Sequence, residues 1–271
     1  MRPFVRNKLT LVGAVLVMLL ALAALLAPLL SPHDPAAIDL SRRLIGPCRE
    51  HPMGTEQLGR DVFSRMLYGS RISLLVGFVA VGIAMVVGSL LGATAGYFGG
   101  WLEWSLMRFV DVMLSFPTIF LILAVVAFIE PGLGPIAIII GLTGWMGVAR
   151  LVRAEVLSLK EREFILAARA MGASNARIIF RHLLPNAMAP VVVSATLGIG
   201  SAILIESGLS FLGLGVQPPM PSWGNILTEG KDTMGVAWWL TLVPGTAIFS
   251  VVLGCNLLGE GLRRWQTGST K

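Results

Sequence analysis

The residue best placed to do chemistry in an apolar setting is Glu206, which stands well inside the apolar stretch from Ala187 to Gly215. A charged carboxylate at the centre of a bilayer costs about 2.5–3.5 kcal/mol on insertion scales, so it needs a partner or water. Two roles stay open for it: lining a passage, or hydrogen-bonding a companion subunit, with Gly208 and Gly213 permitting a local helix break. Ser210 is a conceivable nucleophile, but no histidine lies in or after that stretch to serve as its base. Neither a His-Glu-x-x-His motif nor a pair of intramembrane aspartates occurs, so an intramembrane enzyme is not supported. The histidines are His33, His51 and His182; Cys48 with His51 makes only an incomplete ligand pair, and no metal or cofactor is expected. Cys48 lies in a polar loop and Cys255 in an apolar run, which argues against a disulfide. The nearest approach to a phosphate loop, Gly224 to Gly230-Lys231-Asp232, has the wrong spacing and Asp where Ser or Thr binds the metal. The chain therefore shows no phosphate-loop nucleotide site of its own.

Of the 271 residues, 55% are hydrophobic and only 13% charged, and the mean hydropathy is +0.79. That is the composition of a bilayer protein. The net charge of +6 does not indicate nucleic acid, because Lys and Arg fall between apolar runs rather than in aromatic-interleaved clusters. Lipid forces each long apolar run without strand-like alternation to be a helix. Six are expected, over Leu9–Leu30, Ile72–Tyr97, Phe109–Ile129, Pro135–Ala149, Ala187–Gly215 and Trp238–Leu258. Leu9–Leu30 is too long for a signal core and reads as an uncleaved first span, despite Ala21 and Ala23 mimicking a cleavage site.

Basic flanks set the expected orientation. Arg2, Arg6 and Lys8 precede the first span, and Arg150, Arg153, Lys160, Arg162, Arg169, Arg177 and Arg181 crowd the segment between spans four and five. With Arg263, Arg264 and Lys271 they place both termini in the cytoplasm. The loop from Ser31 to Arg71 is the awkward feature, carrying Arg42, Arg43, Arg49, Arg60, Arg65 and Arg71 on the opposite side. Gly88, Gly92 and Gly96 fall on one face of span two, which allows close helix contact, either as ordinary packing or beside a passage. Asp111, just inside span three, is expected to stabilise that helix's N-terminus.

The inner loop, about 150–186, reads as a helix, a glycine turn and a second helix. Ser158 and Glu161 have capping-box spacing, and Phe164, Ile165, Ala168, Met171 and Gly172 recur on one face. Gly172 then supplies a left-handed turn, Ser174 caps the next helix, and Ile178, Ile179, His182 and Leu183 stripe it until Pro185. Such a pair either docks with another protein or lies on lipid headgroups.

The run Ala167-Ala168-Arg169-Ala170-Met171-Gly172, followed after nine residues by His182-Leu183-Leu184-Pro185, resembles the EAA loop of ABC importer permeases. Leu166 stands where the name-giving glutamate would be, and His182 replaces an aliphatic residue. His51-Pro52-Met53-Gly54-Thr55, Leu58-Gly59-Arg60-Asp61-Val62, Arg65 and Leu209-Ser210-Phe211-Leu212-Gly213-Leu214-Gly215 resemble the dipeptide, oligopeptide and nickel permease family, in its shorter C-type subunit. The resemblance implies an all-α, polytopic fold of about six transmembrane helices, the ABC type I importer permease fold, in a bacterial or archaeal inner membrane. It implies a non-enzymatic subunit in which residues 1–71 form a first span and outer loop, and residues 72–265 the core permease domain. It also implies a second homologous permease, two cytoplasmic ATPase subunits and an extracytoplasmic solute-binding protein as partners. The coupling residues carried over are Ala167, Ala168, Gly172, Ser174, Arg177, Arg181, Leu184 and Pro185; Glu206, Gly208 and Ser210 are expected at the pathway or a subunit interface. Peptide import is the expected function, nickel uptake the alternative within the family, and a passive channel the alternative outside it.

Overall fold

The computed structural model describes residues 8–130 and 132–266, so Arg2, Arg6 and Lys271 lie outside the described residues. The described residues are helical, with a single isolated bridge between Thr55 and Asp61 and no strand. Among the described residues five helices are long and apolar enough to cross a membrane, and a bent pair makes up to six.

Helix α1 (Lys8–Leu25) is followed by a short α2 (Ala27–Leu30) that begins where Pro28 interrupts the amide ladder. Helix α3 (Val62–Phe98) starts earlier than the expected Ile72 and so crosses the expected domain boundary at 71/72. Its first turns carry Arg65 and Arg71 and look like loop in sequence. They are helical because Asp61 caps them, its Oδ2 accepting from the Ser64 amide at 2.7 Å. At about 1.5 Å per residue α3 exceeds the ~30 Å hydrocarbon layer, so at least one end projects beyond it.

The expected continuous third span, Phe109–Ile129, is instead two helices, α4 (Gly100–Leu114) and α5 (Thr118–Val126), bent by 87°. Pro117 cannot donate to the ladder and disfavours helical geometry at Phe116, so the chain turns there. Asp111 consequently lies near the C-terminal end of α4, not at an N-terminus. It pairs with Arg150, and with Arg108 at 3.7 Å, which offsets an unfavourable position in the helix dipole.

Helix α6 (Leu133–Leu159) runs past the expected end at Ala149 and beside α3 in the same direction. The expected glycine face makes this contact. A Cβ added at Gly88 would lie 2.6 Å from Val148 Cβ, one at Gly92 would strike the Ala149 carbonyl, and one at Gly96 would lie 3.0 Å from Val156 Cβ. The stripe therefore packs within the chain. Helices α7 (Glu163–Ala170) and α8 (Asn175–Arg177) form the inner loop, and α9 (Leu184–Phe211), α10 (Trp223–Lys231) and α11 (Trp239–Gln266) complete the chain. Helix α9 runs antiparallel to α3 and α11, with Gly77 against Ile203 and Gly200 against Val252, and α11 runs antiparallel to α1, with Gly254 against Gly13.

Candidate functional site

The inner loop is built around one backbone turn. Helix α7 ends with the Ala173 amide on the Ala168 carbonyl and the Gly172 amide on the Arg169 carbonyl, both at 3.0 Å. This paired closure needs a left-handed residue, and Gly172 supplies it at φ +80°. Ser174 Oγ then accepts from the Arg177 amide at 3.4 Å and starts the next helix, as expected. Ser158 does not cap α7, because α6 continues through it to Leu159; Arg162 takes the cap position without a side-chain bond.

Pro185 does not end the second helix. Residues 175–211 form one helical run in which Ile178–Leu183 widen into a π turn, the Leu184 amide reaching the Ile179 carbonyl five residues back. Pro185 occupies the first turn of α9, and Asn186 Nδ2 donates to the His182 carbonyl at 2.6 Å. The wider turn accommodates the missing proline amide, so the loop passes directly into a span.

The expected single face of α7 is divided. Ile165 and Ala168 are buried, and Ile165 packs in one cluster with Ile178, Ile179 and Leu183. Ala168, three residues on from Ile165, shares that face and so turns toward the chain's own interior rather than a partner. Phe164, Leu166, Ala167, Ala170 and Met171 are exposed, Met171 to 82%, as are Gly172, Ser174, Arg177, Arg181 and Pro185; Leu184 is half-buried. The end of α3 braces the loop: Tyr97 OH donates to Asn175 Oδ1 at 2.7 Å, and Arg169 sits 5.7 Å from the Tyr97 ring centroid.

Glu206 is fully buried within the chain. Ser210 Oγ donates to its Oε1 at 2.8 Å and Ser73 Oγ to its Oε2 at 3.3 Å, while Ser73 Oγ accepts the Trp223 amide at 3.2 Å. The carboxylate thus ties α9 to α3 and to the start of α10. Ser210 is buried with it, and Gly208 is the member of the trio that is exposed, with open space around it. No break occurs at Gly208; α9 continues to Phe211, and the left-handed turn falls at Gly213.

A cavity of about 280 Å³ lies between α3, α6, α9 and the α4–α5 bend. Leu114 and Thr118, which flank the bend, line it together with small residues such as Ala84, Gly144, Gly198 and Ser201, and no charged side chain among the described residues lines it.

Part of the outer loop's basic charge is met by ion pairs, one partner of which, Glu229, lies far off in sequence. Arg60 Nε meets Glu56 at 2.5 Å and its Nη2 meets Glu229 at 3.2 Å, and Arg65 Nη2 meets the same Glu229 oxygen at 2.7 Å. Burial pushes the Glu229 carboxyl up, with Arg65 pulling the other way. The spacing of Glu56, Arg60 and Arg65 was the available signal; their distant partner Glu229 was not legible.

Residues 84–269 match the model of the binding-protein-dependent transport system inner membrane component, and residues 1–47 match the N-terminal TM domain of oligopeptide transport permease C. The chain is 48% identical over 258 residues to a dipeptide transport system permease protein, DppC, of Alkalihalophilus pseudofirmus, covering 95% of this chain and 85% of that protein. It is 42% identical to a glutathione transport system permease protein, GsiD, of Pectobacterium atrosepticum, covering 97% and 87%. Its fold is similar to an inward-facing MetNI methionine ABC transporter structure, with a TM-score of 0.54 at 20% identity, covering 72% of this chain and 94% of that one. These matches do not favour the nickel alternative. With its apolar helices they make the chain a multi-pass inner membrane protein without enzymatic activity of its own, and it belongs to the family of binding-protein-dependent transport inner membrane components, as a permease subunit of an ABC importer.

Proposed function

We propose that this subunit forms one half of an import pathway for di- and oligopeptides and is driven through α7 by a pair of cytoplasmic ATPases. The observation that carries the reading is the continuity of helix from the loop to the cavity. The buried face of α7 locks onto Ile178, Ile179 and Leu183, and that run extends without interruption to Ser194, Gly198 and Ile205 in the cavity wall. Its opposite face leaves Phe164, Ala167, Ala170 and Met171 open to a partner groove. A push on that face is transmitted as rigid displacement of a wall, because packed helices deform little.

The cavity supports a peptide as cargo. Its wall is apolar with scattered hydroxyls from Thr118, Thr143, Ser194 and Ser201, and among the described residues offers no fixed charge to trap either end of a zwitterion. Dipeptide and glutathione relatives point the same way. A second, homologous permease closes the other side, a binding protein delivers cargo at the 31–61 end, and the chain termini and α7 lie in the cytoplasm, a placement supported by the basic flanks at the α7 end.

The test is reconstitution in vesicles with the companion permease, ATPases and binding protein, reading peptide uptake and binding-protein-stimulated ATP hydrolysis. Replacing Met171 and Phe164 by Ser is expected to lower both while the two permeases still co-purify. Uptake by the purified chain alone, or normal coupling in that double variant, refutes the proposal.

A further inference from the structure

His33, His51 and Asp61 converge where the chain leaves α2 and enters α3. Their ligand atoms lie within 4.8 Å of one another: His51 Nδ1 is 2.8 Å from Asp61 Oδ1, and His33 Nδ1 is 3.8 Å from Asp61 Oδ2. The two imidazole rings sit 4.8 Å apart at 31°. Asp61 is buried, whereas the His33 side chain is 37% exposed and leaves an approach from solvent. His33 Nδ1 itself is buried and has no hydrogen-bond partner among the described residues. An orphaned imidazole nitrogen facing a second imidazole and a carboxylate is a donor set of the kind that suits a cation.

We infer that this cluster is a binding site for a divalent transition cation, with Zn²⁺ the best-suited ion, held by His33 Nδ1, His51 Nδ1 and the Asp61 carboxylate. Two imidazoles and one carboxylate match zinc's preference for nitrogen and oxygen donors, and a water on the exposed His33 side completes four-coordination. Bonds of about 2.0–2.1 Å put tetrahedral ligands roughly 3.3 Å apart, so His33 Nδ1, now 3.8 Å from Asp61 Oδ2 in a cluster that spans up to 4.8 Å, must close by roughly 0.5–1.5 Å. Its backbone is held, the His33 amide donating to Ser64 Oγ at 3.3 Å and its carbonyl accepting from Ser31 Oγ at 2.6 Å, so the movement is a rotation of the side chain.

The protons balance. Arg42 Nη1 lies 3.2 Å from His51 Nε2 and can only donate, so His51 accepts there and carries its proton on Nδ1, donating to Asp61. The ion replaces that proton, which moves to Nε2. Arg42 then turns to Asp39 and Glu50, already at 3.2 and 3.3 Å. Asp61 keeps its cap on α3, because Oδ2 still accepts from Ser64. Bound metal would thus staple the exit of the first span to the start of α3.

The test uses the full chain in its purified complex, carrying a histidine-free affinity tag, stripped with chelator and titrated with Co²⁺ and then Zn²⁺. One Co²⁺ per chain should bind with the visible absorption of four- or five-coordinate cobalt, and Zn²⁺ should displace it. His33→Ala leaves the Arg42–His51–Asp61 chain intact and should weaken binding by at least about 100-fold, beyond the loss typical of outer-shell changes. His182→Ala serves as the control for adventitious binding and should change nothing. Absence of Co²⁺ binding, or equal binding by wild type and His33→Ala, overturns the inference.

Discussion

Gly172 offers a perturbation whose cost arises from backbone conformation alone. A Cβ built there meets nothing within 4 Å, while φ is +80°, a conformation that ordinary side chains resist. Replacement by Ala should therefore cost about 1–2 kcal/mol, by Val more, and by Asn least, since Asn tolerates the left-handed region. Helix α7 spans eight residues, too short to persist unaided, so its closure at Ala168 and Arg169 carries much of its local stability. Amide protection across 163–173 should then fall by roughly 5–30-fold in Gly172→Ala if those amides exchange by local opening. ATPase affinity weakens by whatever fraction of the docking-competent loop is lost. The assays are hydrogen exchange on the purified permease pair and binding-protein-stimulated hydrolysis in vesicles, each across the series Gly, Asn, Ala, Val. A graded loss in that order is expected. If Asn is as damaging as Val, the cause is steric contact with the ATPase and the backbone argument is wrong.

Ala167→Glu and Ala168→Glu should separate the two faces of α7: the first leaves the permease pair's thermal stability intact but weakens ATPase retention, whereas the second buries a carboxylate and unfolds the loop. Equal stability of the two variants would sink the assignment of faces. Glu206→Gln should keep the bonds to Ser73 and Ser210, while Glu206→Leu leaves both hydroxyls short of a partner at about 1–3 kcal/mol, read as lower thermal stability in detergent; a Leu variant as stable as wild type removes the tether. Gly92→Leu should part α3 from α6, since even a Cβ collides with the Ala149 backbone, and lower the yield of folded protein severely. Normal yield would mean the two helices are less tightly packed than they stand here.

What the sequence made legible follows from where its information is local. The apolar runs specify helices because lipid leaves the backbone no alternative, and Gly172 and Ser174 are readable because caps and left-handed turns depend on single residues. Three features escaped for opposite reasons. The bend at Pro117 lies inside an apolar run, where hydropathy cannot distinguish a straight span from a broken one. The helicity of Val62–Arg71 was hidden because Arg65 looks solvated until Glu229 is placed beside it, a pairing across 164 residues. The inward turn of Ala168 was missed because alanine is neutral between faces, and only the docking of Ile165 onto Ile178 and Ile179 decides it. Glu206 shows the same limit from the other side. Sequence could say that a carboxylate in a span needs partners, and Ser210 stands one turn on in α9, but Ser73 on α3 is 133 residues away and carries no signal. Its satisfaction inside the subunit moves the search for cargo contacts to the uncharged wall between Leu114, Thr118 and α9, where chain displacement rather than a fixed ligand would govern passage.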